Sequence, residues 1–568
     1  MCSRMAVPIL GLSAGAIDRE FQQNQQEIRH MTTPTCTPFA LTSSMLLSLA
    51  VGATTANAAN VYSSEDFNVR FDNTIKYSAA YRVDDPSADL VNAPVNGLNP
   101  LDDGDRNFDR GVVSNRVDLF SEFDVVYQGR MGARVSAAAW YDEVYNSSND
   151  NNSPATVNTT SVPAGEFADD TRDEMGRDAE ILDAFVFIKN DPYGEIPYTV
   201  RLGRHTVIYG ESLFFGSNSI ANAQAPTDLI KLLSVPGSQF KEIIRPVGQI
   251  STQVQLTPKI SFGAYYQYEW EENRLPASGS FLSDVDVVGA GAEWFVPGVI
   301  PVEEGSASDT GQFGAQMRFR PGAGDVEYGL YAAKYHDKNP QLYLDVGAGP
   351  AGTLKHLYIE DIKTAGASFS TLLGDANVAG EVSYRWDVPL VSALTAAPSG
   401  ANGTSNPVHA IGESLHAQLS TIYLMPENAF WDGAGLLGEV AWNTRMDISE
   451  NPDALDANTT KSAAAFRFLL TPQYFQVMPG VDLTLPIGVG YNFYGRSSTV
   501  FKYNGGPEHG GDASIGLNFD YRRKIKGGIS YTHYFGDEEP FLDESGTQTF
   551  GQSLADRNFV SLNLRTTF

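Results

Sequence analysis

Charged side chains recur at alternate positions of several segments, in a pattern that could line a water-filled pore. Opposed charges along a lumen either polarise the pore or pair with one another and merely satisfy the interior, and the sequence leaves both open. The residues concerned are Arg70, Arg116, Asp118, Glu122, Asp124, Arg134, Asp142, Asp183, Lys189 and Arg201.

A second cluster has oxygen donors at alternate positions. Asp103, Asp105, Asn107 and Asp109 are spaced like the ligands that open a calcium-binding loop. A calcium loop requires glycine at its sixth position and glutamate at its twelfth, where this chain has Phe108 and Ser114. The cluster gives a weak prediction of calcium bridging loops or lipopolysaccharide, and a solvated loop is the alternative.

Catalytic motifs are missing from the sequence. It contains no HExxH, Walker loop, GxSxG or CxxC pattern, and its histidines are scattered. The run 347–352 matches a dinucleotide-binding pattern, but residues 356–373 after it favour a strand, where that site needs a helix. We therefore predict no enzyme and no bound cofactor other than calcium.

Composition excludes two classes of protein. The 568 residues include 68 acidic and 39 basic side chains, a net charge of -29, which excludes a nucleic-acid binder. The 42% hydrophobic content excludes intrinsic disorder. Both cysteines, Cys2 and Cys36, precede a short apolar run that is typical of a secretory signal peptide. Residues 1–58 are predicted to be an N-terminal extension with a signal peptide cleaved after Ala58, and Met31 is an alternative start.

From Ala59 onward, apolar and polar residues alternate, as in Phe67, Val69 and Phe71, and this indicates strands with one apolar face. Short turns alternate with the long polar segments 84–112, 146–180, 273–310, 388–411, 450–460, 495–512 and 536–555, a pattern typical of an outer-membrane β-barrel. We predict that residues 59–568 form an all-β, antiparallel transmembrane barrel of about 18 strands in the bacterial outer membrane, with 16 strands as the alternative. A soluble periplasmic all-β fold is disfavoured, because no repeat of blade length is present.

Aromatic residues gather near the predicted strand ends and are expected to form interfacial girdles. They are Trp140, Tyr141, Tyr145, Tyr266, Tyr268, Trp270, Tyr491 and Phe493. The terminal Phe568 ends the last alternating segment and resembles the signal read by the barrel-assembly machinery.

Residues 210–246 break the alternation. A short helix is expected after Pro226, with Thr227 or Asp228 as its cap. We predict that this partly helical insertion constricts or plugs the lumen, and an extracellular cap is the alternative. The residues expected to join it to the wall are Glu211, Asp228, Lys241, Glu242 and Arg245.

The blocks 98–124, 137–145, 201–249 and 265–289 resemble the proteobacterial outer-membrane family called domain of unknown function 1302 (DUF1302), of which 201–249 is the most specific part. The resemblance implies a porin-like barrel that transports hydrophobic compounds such as steroids, aromatics or lipids. It also implies a periplasmic lipoprotein-like partner and an inner-membrane exporter. Tyr209 stands where relatives are expected to have tryptophan. The predicted function is a channel for small molecules, and the alternative is an adhesin, receptor or structural barrel that acts through its loops.

Overall fold

A computed structural model describes residues 60–94, 101–190, 196–322 and 326–568 in full, together with the backbone of Ala59. The predicted signal peptide and the alternative start at Met31 lie outside the described residues.

The described residues form a closed antiparallel barrel of 18 strands, as the sequence predicts. Each strand pairs with its neighbours along the chain, and a break at Leu485 and Pro486 divides the fifteenth strand into two pieces. The strands are β1 (Phe67–Arg82), β2 (Val112–Tyr127), β3 (Met131–Asp142), β4 (Arg177–Lys189), β5 (Tyr198–His205), β6 (Val247–Thr257), β7 (Ile260–Gln267), β8 (Gln312–Phe319), β9 (Glu327–Tyr335), β10 (Ile362–Leu373), β11 (Ala376–Pro389), β12 (Ile411–Met425), β13 (Gly433–Glu450), β14 (Ser462–Met478), β15 (Val481–Thr484 and Ile487–Tyr494), β16 (Gly511–Tyr521), β17 (Ile525–Phe535) and β18 (Phe559–Thr567).

The first and last strands close the barrel. β18 pairs with β1 from Thr74 to Arg82, and Phe568 exchanges two backbone hydrogen bonds with Asn73. A short strand, Ala59–Ser63, then pairs with β1 below the chain terminus. Closure leaves β1 paired on both sides, as a strand in lipid requires.

The two faces of the wall differ in polarity. In β1 the side chains of Lys76, Ser78 and Arg82 are buried inside, whereas Phe71 and Tyr81 are about two-fifths exposed on the outside. An apolar outer surface around a polar interior is the arrangement of outer-membrane barrels.

The girdle prediction is only partly correct. Tyr141, Tyr266, Tyr268 and Phe493 are exposed on the outer surface. Trp140 is buried, because it precedes Tyr141 in β3 and therefore points inward. Tyr145 is also wrongly placed in the girdle, since it packs in a loop core.

Short turns lie at one end of the barrel and long loops at the other, as predicted. One long connection, 336–361, is a loop that the alternation pattern does not predict. Its strands Gln341–Asp345 and Thr353–Leu357 belong to a separate five-stranded sheet, together with Trp294–Val296, Ile300–Glu303 and Thr395–Ala397. The prediction of one strand over 356–373 is therefore wrong, and the run 347–352 is the turn of a loop hairpin. In the part of the chain that the structure describes, no helix is long and apolar enough to cross a membrane.

The long loops pack into a cap with its own core. Phe108, Tyr145, Phe167 and Phe281 come from three different loops and contact one another at 5.0–5.7 Å between ring centroids. Helices Ala88–Val91 and Asp103–Arg106 lie in the first loop.

Buried arginines join this cap to the barrel. Arg82 of β1 lies 2.6 Å from Asp105 and 2.9 Å from Asp556, and Arg557 pairs with Asp102. Charges this deep are stable only as pairs, so the network fixes the first and last loops over the barrel.

Buried carboxyl groups, Glu272 and Asp103 among them, make the cap sensitive to pH. Burial raises the pKa of Glu272 to about 7 from its ordinary value of 4.5, an effect that nearby Glu304 strengthens. Burial also raises the pKa of Asp103 to about 7. The folded cap therefore binds protons that unfolded loops release, so this contribution to stability is complete below about pH 4 and is lost as the pH rises through about 7.

We expect the loops to resist proteolysis better at pH 5 than at pH 8, and Glu272→Gln to reduce that difference by keeping the site neutral. Limited proteolysis of the reconstituted protein measures this. Glu427→Gln, an exposed position at the opposite end, is the control. Equal cleavage rates at the two pH values would contradict the expectation.

Candidate functional site

The inserted segment, residues 206–246, leaves the wall after β5 and returns at β6. It contains the 3₁₀ turns Gly216–Asn218 and Ile220–Ala223 and the helices Leu229–Leu233 and Phe240–Ile243. The Asp228 side chain accepts a hydrogen bond from the Lys231 N–H at 2.7 Å. The predicted short helix and its Asp228 cap are thus present.

Two buried wall carboxylates bind the first half of this segment through its backbone. Glu439 of β13 accepts hydrogen bonds from the N–H groups of three consecutive residues, Leu213, Phe214 and Phe215, at 3.0, 2.5 and 3.2 Å. Glu381 of β11 accepts two more, from Glu211 at 2.8 Å and Ile220 at 2.7 Å. Charge-assisted hydrogen bonds of this kind are the strong ones, and they hold an irregular backbone against the inner wall.

Gly210 makes the approach to Glu381 feasible. Its φ of +102° is strained for any residue with a side chain, and a Cβ placed there would lie 2.3 Å from a Glu381 carboxylate oxygen. Both constraints require glycine at this position.

Arginine side chains complete the attachment on this side. Arg318 of β8 lies 2.8 Å from Glu211, as expected for a contact between insertion and wall. Arg385 of β11 donates to the carbonyl oxygens of Ser217 and Ser219 at 3.0 and 2.8 Å. The wall therefore binds both an N–H group and a carbonyl oxygen of the backbone here, since Glu381 accepts from Ile220 and Arg385 donates to Ser219.

The second half of the segment contacts other strands. Lys241 pairs with Glu122 of β2, and Glu242 lies 3.7 Å from Lys76 of β1. Arg565 of β18 donates to the Gly237 carbonyl at 3.2 Å. β2 and β11 are nine strands apart in a ring of 18, so the chain between Ile220 and Lys241 joins opposite walls of the barrel.

The two remaining residues predicted to contact the wall, Arg245 and Asp228, lie among charged residues of β4 and of a loop. Arg245 is 3.6 Å from Glu180 of β4 and 3.4 Å from Glu271, which lies in the loop after β7. Asp228 is 3.1 Å from Arg274, which also belongs to a loop. Asp228 therefore joins the segment to a loop, where a wall contact was expected.

The Trp140 ring of β3 lies among the charged residues that Asp228 and Arg245 contact, and no pattern in the sequence predicts this position. Arg116, Lys231 and Arg274 lie 5.1, 5.2 and 4.6 Å from its ring. Its indole N–H donates to the Glu174 carbonyl at 3.1 Å. A tryptophan ring attracts cations through its negative face, so Trp140 helps to hold three of them together.

The charges expected to face the lumen are largely paired along the wall. Arg70 lies 2.7 Å from Asp72, Arg116 lies 2.9 Å from Asp118, and Arg134 lies 2.7 Å from Asp124. The Arg201 guanidinium is 5.9 Å from the Phe185 ring. These charges thus have partners on the wall, and whether they also polarise the pore stays a prediction.

The calcium prediction finds no support. Asp105 is engaged by Arg82 at 2.6 Å, and the Asn107 amide donates to the Gly279 carbonyl at 2.9 Å. Asp103 accepts a hydrogen bond from the Asn158 N–H at 2.7 Å, while Asp109 is exposed. Asp103 and Asp105 lie in the helix Asp103–Arg106, whereas Asn107 and Asp109 follow it, and the first three side chains bind different partners. Among the residues described, no group of three or more acidic, histidine or cysteine side chains has metal-binding geometry.

We predict that Gly210→Ala detaches the segment from Glu381, because the methyl group would occupy the position of the carboxylate oxygen. The matched control is Gly216→Ala, since a Cβ there meets nothing within 4 Å. Protease cleavage within 210–246 should increase several-fold for Gly210→Ala only. Equal protection of both variants would contradict the anchoring role of Glu381.

The fold and this segment define the class of the protein as a transmembrane β-barrel of the outer-membrane type, with one loop held inside its wall. The family model "Protein of unknown function (DUF1302)" matches residues 39–568, so the chain belongs to the DUF1302 family.

Solved structures show more distant similarity. Acinetobacter baumannii OccAB3 is 11% identical with a TM-score of 0.42, and the match covers 88% of this chain and 99% of that one. The Pseudomonas aeruginosa outer membrane protein OpdK is 9% identical with a TM-score of 0.39, covering 88% and 98%. The outer membrane channel DcaP of Acinetobacter baumannii is 9% identical with a TM-score of 0.36, covering 89% and 99%. No curated protein matches the sequence.

Proposed function

We propose that the chain is an outer-membrane channel through which small molecules pass, and that residues 210–246 constrict its lumen. The supporting observation is the attachment of this segment to opposite walls, at Glu381 of β11 and at Glu122 of β2. A chain that crosses a barrel between two such anchors narrows the space for solutes.

Exposed apolar side chains on the inserted segment favour the proposal that the substrates are apolar. Leu232, Leu233 and Phe240 are 51%, 44% and 45% exposed, whereas the neighbouring Ile230 and Lys231 are buried. Apolar side chains left exposed along a solute path favour contact with apolar solutes, because that contact removes their surface from water. We therefore propose a substrate with substantial apolar surface, such as a steroid, aromatic or lipid-like compound.

The alternative is a barrel whose loops bind a partner, and it draws on the packed loop cap. The two functions predict different electrical behaviour: a channel conducts ions in a planar bilayer, whereas a barrel that acts only through its loops is sealed.

Deleting residues 214–242 and joining the ends with a short glycine linker should raise single-channel conductance several-fold, because the chain no longer crosses the lumen. Planar-bilayer recording measures this. Deletion of the exposed turn 348–351 is the control and should leave conductance unchanged. Unchanged conductance after the 214–242 deletion would contradict a constriction there.

Replacing both Leu232 and Leu233 with asparagine should lower uptake of a fluorescent steroid several-fold in cells that depend on this protein. Uptake of a small sugar should not fall, because the substitution keeps the side chains similar in size while removing their apolar surface. Equal losses for steroid and sugar would indicate a general defect and would argue against apolar selectivity.

A further inference from the structure

Part of strand β4 has an unpaired edge. β4 pairs with β3 along its length, but its pairing with β5 covers only residues 184–189. Among the described residues, no strand pairs with residues 177–183 on the side away from β3. At about 3.4 Å per residue, these seven residues leave a free edge of roughly 20 Å.

The gap exists because β5 is short. β5 ends at His205, and the chain then turns inward as the inserted segment and rejoins the wall at Val247. Beside the upper part of β4, the wall thus lacks the strand that would otherwise continue it.

An unpaired strand edge is costly in lipid, because no water is present to bond its N–H and C=O groups. It is tolerated only where it is covered by protein or lines a water-filled cavity. The free edge of β4 must therefore be covered by protein or border water.

A cavity is present at this position. It is a depression of about 810 Å³, open to solvent, and it is lined by Trp140, Asp178, Arg177 and five loop residues. Trp140 and Asp178 are ladder partners whose side chains point into the barrel, whereas Arg177 pairs with the outward-facing Tyr141. The depression therefore reaches the first two residues of the free edge, Arg177 and Asp178, where residues of both faces of the wall line it.

A chain of ion pairs spans the gap below the cavity. Arg204 of β5 lies 3.1 Å from Glu271, which lies 3.4 Å from Arg245, which in turn lies 3.6 Å from Glu180 of β4. Side chains therefore join β4 and β5 at this level, whereas backbone hydrogen bonds join the two strands at residues 184–189 of β4. Ion pairs can separate and re-form with less disturbance than a backbone ladder.

We propose that the gap between β4 and β5 is a lateral window through which amphipathic molecules pass between the lumen and the lipid bilayer. The inference rests on the proposed channel function and adds a route to it. Ile181, one of the outward residues of the free edge, is 60% exposed and offers an apolar surface to the acyl chain.

The charge of the cavity defines the head group. Of the described residues that line it, one is basic, Arg177, and five are acidic: Asp170, Asp173, Glu174, Asp178 and Glu304. Arg177 pairs with Asp173, and Arg274, one of the three cations around Trp140, pairs with Glu174. Asp170, Asp178 and Glu304 keep the rim negative, and a negative rim attracts cations and repels anions, so the window favours amphiphiles with a cationic or uncharged head group over fatty-acid carboxylates.

The test uses a chain in which serine replaces Cys2 and Cys36, reconstituted in liposomes. A long-chain quaternary ammonium that carries a diazirine is dissolved in the bilayer, and its photolabelling sites are mapped by mass spectrometry. A bulky maleimide is attached to the thiol of an Ala179→Cys variant on the free edge, or to that of an Ala139→Cys variant as the matched control. Ala139 is the ladder partner of Ala179 and also has a partner on β2.

We expect labelling at Trp140 or Asp178, a several-fold loss of that labelling when the Ala179→Cys variant carries the maleimide, and no loss when the Ala139→Cys variant carries it. The carboxylate of equal chain length should label these residues several-fold less. Unchanged labelling of the modified Ala179→Cys variant, or no labelling at all, would overturn the window, and equal labelling by the carboxylate would overturn the head-group preference. Ionic conductance of the same samples tests the channel separately, because an adduct on the outer surface should leave it unchanged.

Discussion

Five backbone N–H groups bonded to two buried carboxylates are the interaction on which the interior of this barrel depends. Glu381 and Glu439 bind residues 211–220, a stretch with no regular ladder of its own. A buried carboxylate needs several donors, and a buried irregular backbone needs acceptors, so each stabilises the other. These hydrogen bonds fix the position of the inserted segment. Gly210 allows the backbone to come as close to Glu381 as the bonds require.

The same insertion explains why part of β4 has no strand beside it. Because the chain turns inward after His205, β5 cannot continue beside β4, and the edge formed by residues 177–183 is left without a strand. The charges of Glu180, Arg245 and Glu271 lie where the missing strand would be. The attachment of the segment to opposite walls and the unpaired edge of β4 are thus two results of one departure of the chain from the barrel wall.

The sequence predicts the barrel well and the interior only in part. Period-two alternation over residues 59–568 requires strands with one apolar face, and alternating short and long connections give their number. The loss of alternation at 210–246 marks the insertion, and the contacts of Glu211, Lys241 and Glu242 with the wall were expected. Glu381 and Glu439 were not, because a single inward glutamate looks like any other polar residue of an alternating strand. The loop sheet was missed for a related reason: strands such as Thr353–Leu357 have the same local pattern in a loop as in a barrel.

The central claim is that the inserted segment borders the path of solutes. Leu233→Cys, in a chain without Cys2 and Cys36, places a thiol on the exposed surface of that segment. The most direct measurement is single-channel conductance while a charged, water-soluble thiol reagent is added. The account predicts a stepwise fall in conductance as the thiol is modified inside the lumen. Conductance that stays constant, with modification confirmed by mass, would contradict it.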